Sequence, residues 1–269
     1  MGYSLEGKKV LVTGGSSGIG AALAEGFARA GATVGICARR PDRLAEVLER
    51  VRAHAPESKS WTVDLADLDG IEAFARRVEA DLGGVDVLVN NAGIPKRRKV
   101  TDLTPDVVES VMRINYFSPI RLTLALLPGI ESRGGRVVNI SSVAARLGPP
   151  AEAAYSASKA AVTAWSESMQ VDLGIAGSQV RVHVVNPGVF DTELFHLPDN
   201  DEFVAAIEML PVESIVDPIL AMIDAGTFEI YVPDWFAGIA ANKATDTGAF
   251  LANSIAWARQ QNADAATAT

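Results

Sequence analysis

The stretch KKVLVTGGSSGIGAALAEGFARAG, residues 8–31, decides the fold. An apolar, β-branched run comes first, a glycine-rich turn follows, and an Ala-rich segment of helical period closes it, so the stretch reads as strand, tight turn and helix. Six more runs of the first kind recur along the chain: ATVGICA (32–38), SWTVD (60–64), VDVLVNNAG (85–93), GRVVNISS (135–142), VRVHVVNPG (180–188) and FEIYVP (228–233). Segments of helical period separate them. Strands that are apolar on both faces and alternate with helices imply a parallel sheet covered on two sides. The expectation is an α/β fold with a doubly wound sheet of about seven strands. No linker, repeat or composition break divides residues 5–233, so one domain over residues 1–269 is expected, with a helical extension over about 234–261 and a fraying NADAATAT end.

Composition narrows the function classes. The chain has 269 residues, 48% of them hydrophobic, which is ample material for a core. A formal net charge of -9 argues against a nucleic-acid partner, because phosphate binding needs clustered Lys and Arg. The one basic cluster, KRRK at 96–99, reads as a solvated loop, the alternative being that it meets an acidic part of a ligand. Cys37 is the single cysteine, so no internal disulfide can form and a reducing compartment is expected. No signal-peptide core and no uninterrupted apolar run of spanning length are present, which points to a cytoplasmic protein. His54, His183 and His196 lack Cys or carboxylate companions at ligand spacing, so no metal is expected.

The turn TGGSSGIG (13–20) suits a pyrophosphate. Gly14, Gly18 and Gly20 allow a sharp turn, close approach to the anion and tight packing of the helix on the sheet, while the N–H groups of the turn through Ser16, Ser17 and Ile19 face the phosphates at the helix start. At the end of the second strand, where an acid would hold both ribose hydroxyls of NAD, the chain has Ala38, Arg39 and Arg40. Guanidinium groups there favour a 2′-phosphate, so NADP(H) is preferred and NAD(H) is the alternative; otherwise the arginines only start the next helix. Asp64 either accepts from the adenine amino group or caps the following turn. Asn91, Ala92 and Gly93 end the fourth strand and leave room for a cofactor.

These motifs, together with Asn115, NISS (139–142), YSASK (155–159), NPG (186–188) and Thr192 at their mutual spacing, resemble the short-chain dehydrogenases/reductases in their compact form. The resemblance implies a Rossmann-type doubly wound, mostly parallel seven-stranded sheet with helices on both faces, and hydride transfer between a nicotinamide and an alcohol or carbonyl. It carries catalytic roles to Asn115, Ser142, Tyr155 and Lys159, and places Pro187, Gly188 and Thr192 against the cofactor. The residues support this. Residues 153–174 read as helix, so Tyr155 and Lys159 project from one face. A nearby ammonium stabilises phenolate, so Lys159 is expected to lower the Tyr155 pKa while holding the nicotinamide ribose. Ser142 donates to the substrate oxygen. Ser141 is its neighbour, and alternation allows only one of the two to face the site; the family spacing selects Ser142. Asn115 is expected to hold a relay water.

A lid over about 189–212, in which Phe190, Leu194, Phe195 and Leu197 of the segment from Val189 to Phe203 are the apolar part, suggests a hydrophobic carbonyl or alcohol as substrate, with help from ARLGPPAE (145–152). After Pro233 the chain departs from the family pattern: Trp235, Phe236 and Phe250 suggest a partner-facing helix, a second cover on the substrate, or a membrane-surface contact. The resemblance implies a homodimer or homotetramer through the helices of Asn115 and Tyr155. Two rival readings are a nucleotide-sensing regulator without turnover, which tends to lose the reacting residues, and an extended-branch epimerase, for which the residues after Pro187 are too few.

Overall fold

The computed structural model describes residues 2–201 and 208–267. All seven apolar runs form strands: β1 (Lys9–Thr13), β2 (Thr33–Ala38), β3 (Lys59–Thr62), β4 (Val87–Asn90), β5 (Arg136–Ile140), β6 (Arg181–Pro187) and β7 (Glu229–Val232). They pair in the order β3-β2-β1-β4-β5-β6-β7, and every pairing is parallel. The order reverses between β1 and β4, so the chain leaves a crevice at the carboxyl ends of those two strands.

Helices cover both faces. On one lie α1 (Gly18–Arg29), α2 (Pro41–Arg52) and α8 (Val216–Ala225), whose Leu23, Phe27, Leu44, Ile219 and Ile223 pack with Val10, Val12, Val89 and Val185. On the other lie α3 (Ile71–Leu82), α5 (Ser118–Ser132) and α7 (Ala153–Ile175), whose Phe74, Val78, Leu126, Ile130 and Met169 pack with Leu11, Leu88, Val137 and Val182. Val10 and Val12 thus face one way and Leu11 the other, all fully buried, which is why the strands read as continuous apolar runs. Cys37 is buried in the second of these cores.

Three departures from the sequence reading have local causes. The strands are shorter than the runs: Asp64, Ser141 and Ser142 lie beyond the ends of β3 and β5, in the loops that build the crevice, the second of which leads into the short α6 (Ala144–Leu147). The helix α4 (Pro105–Met112) joins α5 through one wider π turn, Arg113–Phe117, which carries Asn115; such turns recur at functional sites. The C-terminal extension is two helices, α9 (Phe236–Thr245) and α10 (Thr247–Thr267), because Asp246 leaves helical geometry and its Oδ1 accepts the Ala249 N–H at 2.9 Å, capping the second. The second helix extends through Thr267, beyond the Gln261 at which the sequence reading ended the extension. Phe190 is core, at 1% exposure, and bridges to Leu210; Phe203 lies outside the described residues. Among the described residues no helix is long and apolar enough to cross a membrane.

Candidate active site

The turn after β1 is shaped for a close ligand. Gly14 and Gly18 take positive φ, +69° and +52°, which only glycine adopts without strain. A Cβ on Gly14 would sit 2.9 Å from the Ala92 Cα, and one on Gly20 would run into the Gly14 carbonyl oxygen. The ends of β1 and β4 are stitched beneath it. Thr13 Oγ1 donates to the Val89 carbonyl (3.2 Å) and accepts from the Asn91 and Ala92 N–H groups (3.0 and 3.1 Å), while Asn91 Nδ2 donates to the Thr13 carbonyl (2.9 Å). The Asn91 side chain therefore supports the turn from below. This cradle, with Ser16, Ser17 and Ile19 on its rim, fits a pyrophosphate.

Past β2, Arg39 and Arg40 are exposed and line the same cleft. Arg40 is not merely solvated: it donates to Ser17 Oγ (2.9 Å) and to Glu193 Oε2 (2.8 Å), and Arg43 lies 3.3 Å from Glu193 Oε1. The hydrogen bond from Arg40 holds the Glu193 carboxyl below its usual range. Asp64 caps its turn, accepting from Ala66 N–H at 3.0 Å, and also borders the cleft.

The cleft, about 600 Å³, continues to the residues that resemble a catalytic set. Ser142, Tyr155 and Lys159 converge there, with Pro187, Gly188 and Thr192 on the opposite rim. Ser141 turns away, its hydroxyl bonding Thr163 (2.9 Å) and the Lys159 carbonyl (3.2 Å). Ser142 lines the cleft beside Tyr155, and its Oγ accepts the Ala144 N–H at 3.1 Å. Lys159 Nζ donates to the Ile140 carbonyl at 2.7 Å and lies 5.7 Å from the centre of the Tyr155 ring. Burial lowers the Lys159 pKa to about 8. The expected tuning of Tyr155 by Lys159 is not what governs its hydroxyl here. Burial and then Glu152 push its pKa well above the usual phenol value, while Ser142 and Arg97 act in the other direction. Asn115 braces the loop after β4: its side chain accepts from the Ile94 N–H (2.8 Å), donates to the Ile94 C=O (3.0 Å) and donates to Ser158 Oγ (3.0 Å).

Arg97, Glu152 and Phe236 also line the cleft, where the sequence reading gave none of them an individual place in the site. Arg97 belongs to the supposedly solvated KRRK loop but is 3% exposed. It donates to the carbonyls of Phe195 (2.8 Å) and Asp201 (3.2 Å), while Lys96 pairs with Asp199 and Arg98 with Asp201 (3.7 Å). The acids this loop meets are thus the chain's own, in residues 199–201, and the opposite charges of KRRK and DND were the available signal. Phe236 at the start of α9 packs against Gly188, and Lys243 donates to the Arg146 carbonyl (2.6 Å), so α9 covers one wall of the cleft.

A parallel sheet with this switch point and glycine turn defines a Rossmann-like α/β protein. The family model described as short chain dehydrogenase matches residues 8–202. A dehydrogenase/reductase SDR family protein 7-like from Drosophila melanogaster is 42% identical over 195 residues, covering 71% of this chain and 59% of that protein. A solved short chain dehydrogenase from Burkholderia cenocepacia, in complex with NADP, is 29% identical with a TM-score of 0.79 over 94% of this chain and 99% of that one. One from Burkholderia phymatum in complex with NAD, 22% identical over 91% of this chain and 95% of that one, shares the fold with a TM-score of 0.83. The chain belongs to the short-chain dehydrogenase/reductase family. It spans about three-fifths of the length of the curated relatives it matches, 58% to 62% for the first four.

Proposed function

We propose that the chain is an NADP(H)-dependent oxidoreductase that moves a hydride between nicotinamide and the carbonyl or secondary alcohol of a largely apolar substrate. The reading is supported above all by the meeting of Ser142, Tyr155 and Lys159 in one cleft with the glycine turn after β1. A bound nicotinamide supplies or accepts the hydride. Tyr155 gives its hydroxyl proton to the carbonyl oxygen in reduction and takes the alcohol proton in oxidation. Ser142 donates to the same oxygen and holds the charge that develops on it. Lys159 steadies the ribose hydroxyls beside the phenol, and Asn115 fixes the loop on which both depend. Arg39 and Arg40, with no acid at the end of β2, favour the 2′-phosphate; NAD(H) is the second choice.

Leu194, Phe195, Leu197 and Phe236 give the substrate end of the cleft its apolar lining. On this reading residues 1–269 act as one catalytic unit with a lid over about 189–212. Exposed Phe117, Leu124, Val171 and Ile175 near and on α5 and α7 favour a homodimer or homotetramer through those helices. One buried thiol, Cys37, fits a reducing, cytoplasmic setting.

The test has two stages. NADPH quenches the intrinsic fluorescence of wild type and Tyr155→Phe alike, and more tightly than NADH does. A carbonyl panel is then reduced by wild type, and Tyr155→Phe lowers kcat by about 10²–10⁴-fold. Tight nucleotide binding with turnover that ignores Tyr155 refutes the assignment.

A further inference from the structure

The wall of the cleft beside Tyr155 carries a carboxyl that hydride transfer does not use. Glu152 is 7% exposed and lines the cleft. It stands at the N-cap position of α7 without a side-chain cap, three residues before Tyr155, and both side chains line the same cleft. Its backbone carbonyl accepts the Ser156 N–H at 2.7 Å, but among the described residues no hydrogen bond or ion pair reaches its carboxyl. The carboxyl opens on the cleft, so its hydrogen-bond partner must come from what the cleft holds, water or ligand.

The charged groups around it narrow what that is. Arg97 is the nearby cation, and its guanidinium is committed to the Phe195 and Asp201 carbonyls and to the Phe195 ring, 5.0 Å away. It moderates the field at Glu152 without capping the carboxyl. Lys159 brings a second cation to the same cleft, so a ligand ammonium would enter a pocket already holding two. Tyr155 on the same helix faces Glu152 as a donor already required by the reacting oxygen. A neutral hydroxyl is the group that satisfies this carboxyl whether or not it carries a proton, since its oxygen accepts in both states. Burial raises the Glu152 pKa to about 7, against the pull of Arg97, so both states occur near neutrality.

We infer that Glu152 determines specificity by accepting a hydrogen bond from a second hydroxyl of the substrate, which makes the substrate class an apolar hydroxy-ketone or the diol formed from it. This rests on the oxidoreductase reading. The balance is that of an ordinary reduction: the carbonyl carbon gains hydride, its oxygen gains the Tyr155 proton, the nicotinamide is oxidised, and the second hydroxyl is unchanged.

The experiment compares aryl ketones matched except for one hydroxyl, placed one or two carbons from the carbonyl, together with the corresponding amino-ketones. Wild type is expected to favour the hydroxy-ketone by at least about tenfold in kcat/KM. Calorimetric Kd values for the same compounds follow the same order. Glu152→Gln keeps the preference, because its amide oxygen still accepts, and in Glu152→Leu the ratio falls to near one. Equal kcat/KM for the matched pair in wild type overturns the inference, as does a preference for the amine or a Leu variant that still discriminates. The wild-type comparison decides even where a variant fails to fold. Plain ketones reduced without regard to the hydroxyl overturn this inference alone; absence of any Tyr155-dependent turnover overturns the oxidoreductase reading and this one with it.

Discussion

Lys159 sits where an ammonium is poorly tolerated. It is buried, its ammonium donates to the Ile140 carbonyl at 2.7 Å, and burial brings its pKa from the ordinary 10.5 to about 8. Between pH 8 and 10.5 the unfolded chain therefore holds this proton more firmly than the native one. Stability gains with rising pH across that window, and below it the full penalty is present. Lys159→Met removes the penalty, so urea unfolding at pH 7 is expected to show a variant more stable than wild type by about 1–3 kcal/mol. The gain shrinks toward pH 10, while reductase turnover is lost. A variant less stable than wild type at pH 7 contradicts this account. The same residue shows where sequence stops short. A Tyr-Lys pair on one helix face is legible from spacing, but what sets the phenol's acidity is the depth of the cleft and Glu152, and depth has no sequence signature.

At the scale of elements, the turn from β2 into α2 is tied to the segment after β6. Glu193, in the short turn Glu193–His196, accepts from Arg40 and stands 3.3 Å from Arg43. If Arg40 holds a 2′-phosphate, that phosphate must compete with the Glu193 carboxylate for the same guanidinium. Glu193→Ala is then expected to tighten NADPH by severalfold and to change NADH little, because an exposed ion pair is worth about 1 kcal/mol or less. Fluorescence titration of both nucleotides checks this, and equal shifts for both would place Arg40 away from the 2′ position. The strands themselves were legible because burial on two faces leaves an unbroken apolar run, and α7 because its polar residues recur at helical spacing. The ends of β3 and β5 were not, since Val63 and Ser141 continue the pattern into loops that turn toward the crevice. Nor was the Arg97 clamp, which joins residues about a hundred positions apart and is visible only once β4 and β6 share a sheet.

Across the whole molecule, the two C-terminal helices divide the labour differently from what their similar composition suggests. α9 is part of the cleft: Phe236 is 7% exposed, packs on Gly188 and lines the substrate end. α10 touches α9, with Lys243 lying 5.9 Å from the Phe250 ring, and among the described residues it adds nothing to either core, leaving Leu251, Ile255 and Trp257 exposed. Removing residues 247–269 is therefore expected to change unfolding free energy by less than about 1 kcal/mol, the range of surface changes, and to leave nucleotide binding intact. Phe236→Ala leaves a cavity beside Gly188 and is expected to cost about 3–5 kcal/mol, with KM for apolar ketones rising severalfold while KM for polar ones moves less. Chemical denaturation of the two variants beside wild type separates the roles: a truncated chain that loses as much stability as Phe236→Ala would mean that α10 holds α9 in place and that the cleft extends its support to Thr267.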